Sequence, residues 1–382
     1  MDEIKLKQYG DNSVQIGENK GTVNITLSVP AFEAVQKQPQ SLSPGESKKR
    51  DDSRYYVLID KILKQQKDSG EIGAFREPSV VNVSRPYKDS IAPDKRANIY
   101  PTMSAVNLLT NHPVHSKTIK KAIEWLYGLI DDDGYFCTTA EMPVPVKNFV
   151  TGENRLYDLP IRNYRHMGEI LVALLTTGQI NDVTLKLLRN LLKAENTDGG
   201  WSDIDITKES MLFSTTFILQ ALNHSNLPCL YSLLPEQQAE ALSRDVSAAK
   251  KNAFNWLLEC NKDCGGFWYK PDVEIKGKYL YTGVIIGSLS EQLLADAPSF
   301  THRLVERIMS ERVNNLWLKD DGQIDYVNST VLLSALLGLR NAGMDIEIGN
   351  FEETKNQLWD YYQQDIDIDA GALCSAENVY SF

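Results

Sequence analysis

One pattern in this chain leaves the fold little freedom. An amphipathic helix runs into a polar turn, then a glycine, then an aromatic, and this happens repeatedly. IKKAIEWLYGLIDDDGYF (119–136), LKLLRNLLKAENTDGGW (185–201) and NAFNWLLECNKDCGGFW (252–268) are the clearest copies. YYVLIDKILKQQKDSGEIGAF (55–75) precedes them, and a degenerate copy ends in LWLKDDGQIDY at Tyr326. The turn glycines Gly70, Gly134, Gly199, Gly265 and Gly322 recur about every 65 residues, the last after about 57, a period that marks a repeat architecture. Glycine takes the left-handed cap that a β-carbon disfavours. The preceding Asp bonds turn amides, and the aromatic wedges between neighbouring units.

A second helix follows most turns: RNYRHMGEILVALLTTG (162–178), SMLFSTTFILQALNH (210–224), YLYTGVIIGSLSEQLL (279–294) and VNSTVLLSALLGLRNAG (327–343). These are apolar around most of their circumference, as helices buried on several sides are. The first helices carry one stripe, as in Ile119, Ala122, Ile123 and Leu126. Pairs of outer and inner helices close most simply as two concentric rings. Five pairs are legible. Residues 351–364 read as the outer helix of a sixth, which the C-terminal tail closes imperfectly.

LLKAENTDGGW followed by STTFILQAL resembles the repeat of the terpene cyclase and protein prenyltransferase α/α toroid superfamily. The likeness is sharpest at Asp198-Gly199-Gly200-Trp201 and Cys264-Gly265-Gly266-Phe267 and covers about residues 55–382. It implies the same inner and outer helical barrel, an all-α toroid. It also implies three chemistries to look for. A class II cyclase needs a crowded Asp acid in a DxDD motif. The nearest match here is Asp203-Ile204-Asp205-Ile206, which makes Asp203 and Asp205 the catalytic candidates, with Ile206 in the fourth place. Asp365, Asp367 and Asp369 form a second acidic run near the C-terminus. A prenyltransferase zinc site needs Asp-x-Cys and a distant His. Asp263-Cys264 is adjacent instead, and His224 sits at a helix end, so no metal and no cofactor are expected. A thioester stretch of the complement type does not occur.

If the inner helices run parallel, their N-termini ring one mouth, where unpaired amides favour anions. Arg162, Tyr164, Arg165 and His166, Ser214 and Thr215, Tyr281, and Asn328 lie near those starts. They are the ligand-binding candidates. The arginines and His166 are the anion donors unless Asp158 or Glu169 pairs with them.

Ahead of the repeats lie a β-prone arm (1–29), a flexible Pro/Ser/Gln-rich linker (30–53) and then the toroid (54–382). The arm carries Ser13-Val14-Gln15-Ile16-Gly17, then Asn19-Lys20-Gly21, then Thr22-Val23-Asn24-Ile25. Val14 and Ile16, and Val23 and Ile25, alternate as strand residues do, with turn formers between. Val14, Gln15, Ile16, Gly17 and Asn19 resemble the RIP homotypic interaction motif, centred on (I/V)-Q-(I/V/L)-G. Lys20-Gly21 departs from it. The resemblance implies an amyloid signalling segment that recruits a matching motif on a protein partner. Such segments belong to bacterial and fungal immune proteins.

The net charge of −11 argues against a dedicated nucleic-acid surface. No apolar run approaches the ~18 residues of a membrane span. The charged start MDEIKLKQYG is no signal peptide, and five scattered cysteines read as buried reduced thiols of a cytoplasmic protein. The leading expectation is a signalling or interaction protein of a bacterial immune, anti-phage system, with a toroid that binds a small anionic or isoprenoid ligand or a partner. The alternatives are a cyclase- or prenyltransferase-like enzyme on an isoprenoid substrate and a structural toroid subunit of a stable complex.

Overall fold

The computed structural model describes residues 16–19, 22–25, 53–73, 88–89, 98–110, 113–143, 156–205, 207–263, 266–269, 277–319, 321–364, 368 and 370–381. The chain divides into two units, Met1–Lys49 and Arg50–Phe382. In the first, β1 (Ile16–Asn19) and β2 (Thr22–Ile25) form an antiparallel hairpin. Its register sets Ile16 opposite Ile25, Gly17 opposite Asn24, Glu18 opposite Val23 and Asn19 opposite Thr22. Val14, Gln15 and the linker before Ser53 lie outside the described residues.

The second unit holds two rings of helices. The outer helices are α1 (Ser53–Lys64), α3 (Ser116–Tyr127), α5 (Asp182–Lys193), α8 (Glu236–Asp263), α10 (Pro298–Ser310) and α12 (Phe351–Tyr362). The inner ones are α2 (Ile99–Leu109), α4 (Tyr164–Thr176), α6 (Leu212–Leu222), α9 (Lys278–Asp296), α11 (Tyr326–Asn341) and α13 (Ala370–Tyr380). A short α7 (Leu227–Tyr231) links α6 to α8. Each inner helix packs on the next, and α13 packs back on α2, so the inner ring closes. The outer ring closes through Arg54 to Asn356 at 2.8 Å, and Lys61 Nζ to the Tyr362 carbonyl at 2.7 Å.

The helices separate by burial as their patterns predict. On α3 only Ile119, Ala122, Ile123 and Leu126 are buried, whereas α4 is buried continuously from His166 to Leu175. Inner helices approach closely where glycine permits. A β-carbon on Gly168 would sit 2.8 Å from Ile218, and one on Gly283 2.8 Å from Val331.

The sixth pair is complete, which corrects the expectation of an imperfect tail. Residues AGALCSAENVY form α13, an inner helix with Leu373, Ala376 and Val379 in the core. Its small residues weaken the apolar signal without weakening the packing. The first inner helix, α2, also lay outside the pairs legible in the sequence. A β-sheet interrupts the second pair: β4 (Cys137–Pro143) and β5 (Leu156–Arg162) are antiparallel, with β3 (Lys88–Asp89) on the far side of β4. Pro160 is tolerated because β5 is an edge strand.

The turn that defines the repeat does three jobs. In the third unit the Trp201 amide donates to Thr215 Oγ1 at 3.0 Å, and its indole donates to the Leu191 carbonyl at 2.7 Å. One residue thereby ties its own outer helix to the following inner helix. Trp268 repeats this with Thr282 and Leu257, and Trp317 with Ser329 and Ile308. In the first unit Ile72 keeps only the amide bond, to Thr102. The left-handed residue stands two places before each wedge: Gly70, Gly134, Gly199, Gly266 and Asn315. Two sequence assignments shift accordingly. In the fourth unit the wedge is Trp268 rather than Phe267, with the left-handed Gly266 two places before it; Gly265 lies outside the described residues. In the fifth, Asn315 (φ 71°) precedes the wedge Trp317, because Asn tolerates that conformation, while Gly322 (φ 80°) takes the left-handed turn expected of it further on.

Candidate functional site

The inner ring encloses a cavity of about 380 Å³. It runs along α2 and α13, past the first half and middle of α9, and from the middle of α6 and α11 toward their C-terminal ends. Ser104, Asn107, Gln220, Ser288, Ser334 and Asn378 face it beside Tyr100, Phe217, Val284 and Val331. Among the described residues, no Asp, Glu, Lys, Arg or His lines it. Asn378 Nδ2 donates to Ser334 Oγ at 3.3 Å, joining α13 to α11 across the wall. The carbonyl oxygens of Asn107 and Gln220 are shielded from solvent and accept no hydrogen bond from the described residues.

The opposite mouth, at the inner-helix N-termini, is built differently. Stacked aromatics cross it: Phe213 lies 4.3 Å from Tyr281 and 5.9 Å from Phe217, and Phe217 lies 5.3 Å from Tyr100. Arg165 sits 5.0 Å over Phe213 and pairs with Glu169 at 3.0 Å. His166 Nδ1 meets the other Glu169 oxygen at 2.7 Å. These residues share one face of α4 because they are three and four positions apart. Burial opposes the charge of the enclosed Glu169 carboxyl, but His166 and Arg165 hold it below the usual carboxylate range. Two of the three residues expected to receive an anion, Arg165 and His166, are therefore engaged by Glu169.

The remaining candidates are also committed to the scaffold. Ser214 and Thr215 are fully buried; Ser214 donates to Asp203, and Thr215 receives the Trp201 amide. The Asp203 carbonyl accepts the Tyr164 amide at 2.9 Å. Asp205 bonds through its amide to the Arg162 carbonyl at 3.1 Å, joining this turn to the end of β5. The Arg162 guanidinium lies 4.1 Å from the Tyr135 ring. Burial, then the nearby Asp205 charge, pushes the Tyr164 hydroxyl up. Asn328 bonds Asp325 at 2.7 Å at the start of α11. Neither Asp203 nor Asp205 lines the cavity.

The cysteines are less uniform than expected. Cys374 is buried and lines the cavity, Cys137 and Cys260 are half-buried, and Cys229 is exposed. Burial and then Asp131 push the Cys137 thiol up. Among the described residues no cluster of His, Cys, Asp and Glu could hold a metal ion, and no helix is long and apolar enough to cross a membrane. Asp365, Asp367 and Asp369 lie outside the described residues.

The cavity residues were missed by reading helix starts. Their signal was a polar and small stripe on otherwise apolar helices: Ser104 and Asn107, then Ser334, Gly338 and Asn341, then Gly371, Ser375 and Asn378.

No protein-family model matches this chain, and no curated protein matches it in sequence. Solved structures do. The type II terpene cyclase MstE from Scytonema aligns with a TM-score of 0.51 at 11% identity, over 86% of this chain and 97% of that one. The ent-copalyl diphosphate synthase from Streptomyces platensis aligns with a TM-score of 0.49 at 14% identity, over 74% of this chain. This chain spans only 49% of that protein's length. An alpha-1,6-mannanase from Salegentibacter gives 0.48 at 11% identity, over 86% and 98% of the two chains. The chain is thus an α/α toroid, the fold it shares with the type II terpene cyclase MstE.

Proposed function

We propose that this chain is a signalling or interaction protein in which the toroid senses a ligand or partner and the N-terminal hairpin recruits a matching segment, as in a bacterial immune system. The observation that carries this reading is the hairpin. It has two strands and no third among the described residues, in a unit apart from the toroid. Two-stranded hairpins are marginal in water, and their open edges are templates for pairing with another chain. The uncharged cavity supports the same reading. Cyclase chemistry needs a strong acid at the substrate, and the two candidate carboxylates belong to a turn outside the cavity.

The test is assembly. A peptide of residues 10–28 forms thioflavin-positive fibrils on this reading, and replacing Gln15, Ile16 and Gly17 together with alanine prevents them. A wild-type peptide that stays soluble sinks the proposal. The rival, isoprenoid catalysis, predicts turnover of geranylgeranyl diphosphate by the full chain and its loss in Asp205→Asn.

A further inference from the structure

We infer that the toroid cavity is a binding site for a small uncharged ring compound bearing several hydroxyls, the chemistry shared by free sugars and nucleosides. This rests on the reading of the toroid as the sensing part and names what it senses.

The first argument is charge. A phosphate or carboxylate taken into this cavity would lose its hydration with no cation to replace it, and a cation would meet no carboxylate. The second is hydrogen-bonding capacity. Asn107, Gln220 and Asn378 line the cavity with side-chain amides, a residue type that both donates and accepts. A ligand with several hydroxyls matches such a polar lining. An isoprenoid, which has neither donors nor acceptors along its chain, does not. Ser104, Ser288 and Ser334 add hydroxyls that serve as donor or acceptor. Tyr100 and Phe217, 5.3 Å apart, add aromatic surface to the lining for a ring. The volume, about 380 Å³, falls at the small end of ligand pockets, roughly 300–1,000 Å³.

The third argument is Gly287. Gly283, one turn earlier, is explained by packing, because a β-carbon there would lie 2.8 Å from Val331. At Gly287 a β-carbon would meet nothing nearer than Ala335 at 3.9 Å. Its φ is not left-handed, and it lies on the cavity wall within a helix, where glycine is less stable than alanine. Neither packing nor backbone geometry requires it. What it does is keep the cavity wide, just before α9 bends at Leu289.

The test is titration of the full chain, followed by calorimetry or saturation-transfer NMR, with glucose, adenosine, glucose 6-phosphate, adenosine monophosphate and farnesol. We expect saturable binding of glucose or adenosine, the responding arm identifying which ring is preferred. Its phosphorylated counterpart binds at least tenfold more weakly, and farnesol does not compete. Gly287→Leu fills the cavity and abolishes binding, and Gln220→Leu weakens it about tenfold. Gly287→Ala, which folds at least as stably as the native chain, weakens binding and controls for misfolding of the larger variant. Equal or tighter binding of the phosphorylated compounds, competition by farnesol, no binding of either neutral ring, or unchanged binding in both Gly287 variants overturns the inference. Fibril assembly by residues 10–28 is scored separately, so the cavity assignment and the signalling reading fail independently.

Discussion

The two ends of the inner ring use their polar residues in opposite ways. At the N-terminal mouth nearly every polar group is spent on the scaffold: Ser214 on Asp203, Thr215 on the Trp201 amide, Arg165 and His166 on Glu169. Toward the C-terminal ends, serine and amide side chains line a cavity. The mouth that looks functional by residue type is structural. The end that looks bland, made of serine, asparagine and glycine, is where a ligand fits. Charge and hydroxyl content are thus poor guides until partners are known.

Substitutions can break this contrast, and the largest effect belongs to the scaffold. Trp201→Ala removes a fully buried indole with its bond to the Leu191 carbonyl, and costs about 3–5 kcal/mol. Urea unfolding would show it; a loss below about 1 kcal/mol would mean the wedge is not the joint between helices. Glu169→Gln removes a fully enclosed carboxylate from two basic partners, Arg165 being partly solvated, and costs about 2 kcal/mol. Its pH dependence gives a second check. The folded-state pKa of Glu169 lies below its unfolded value of about 4.3, so the stabilisation is fully present above that pH. It is lost as pH falls through the lower folded value. The difference between native chain and variant therefore narrows below about pH 4, and a gap that widens on acidification contradicts the assignment.

Smaller changes sharpen the contrast at single glycines. Gly283→Ala forces α9 away from Val331 and costs about 1–3 kcal/mol. Gly287→Ala, four residues on, is expected to raise stability by up to about 1 kcal/mol because nothing obstructs it. Thermal melts of the two variants, moving in opposite directions, would separate a packing glycine from one that keeps space. The smallest effect is at Asn315: its left-handed backbone predicts that Asn315→Ala costs about 1 kcal/mol, while Asn315→Gly is close to neutral. Equal losses for both would place the cost in a side-chain contact instead.

Much of this architecture was legible because local patterns determine it. A one-faced stripe such as Ile119, Ala122, Ile123 and Leu126 requires an outer helix, and glycine before an aromatic requires a turn that wedges. The sequence misplaced the wedge in the fourth and fifth units because nearby aromatics such as Phe267 and Trp268 look alike. Only hydrogen bonds to Thr282 and Ser329 reveal which aromatic is the wedge. It also passed over α2, and over α13 with its many small residues.

By itself, then, the sequence determined the helical repeat, the outer and inner roles of most helices, and the β-prone arm, all consequences of period and local backbone preference. Tertiary structure alone decided that the ring closes through α13, that Glu169 claims Arg165 and His166, and that the serines and amides of five helices converge on one uncharged cavity. Those outcomes depend on pairs of residues far apart in the chain. No local pattern encodes which distant partner satisfies a buried polar group, or which is left for a ligand.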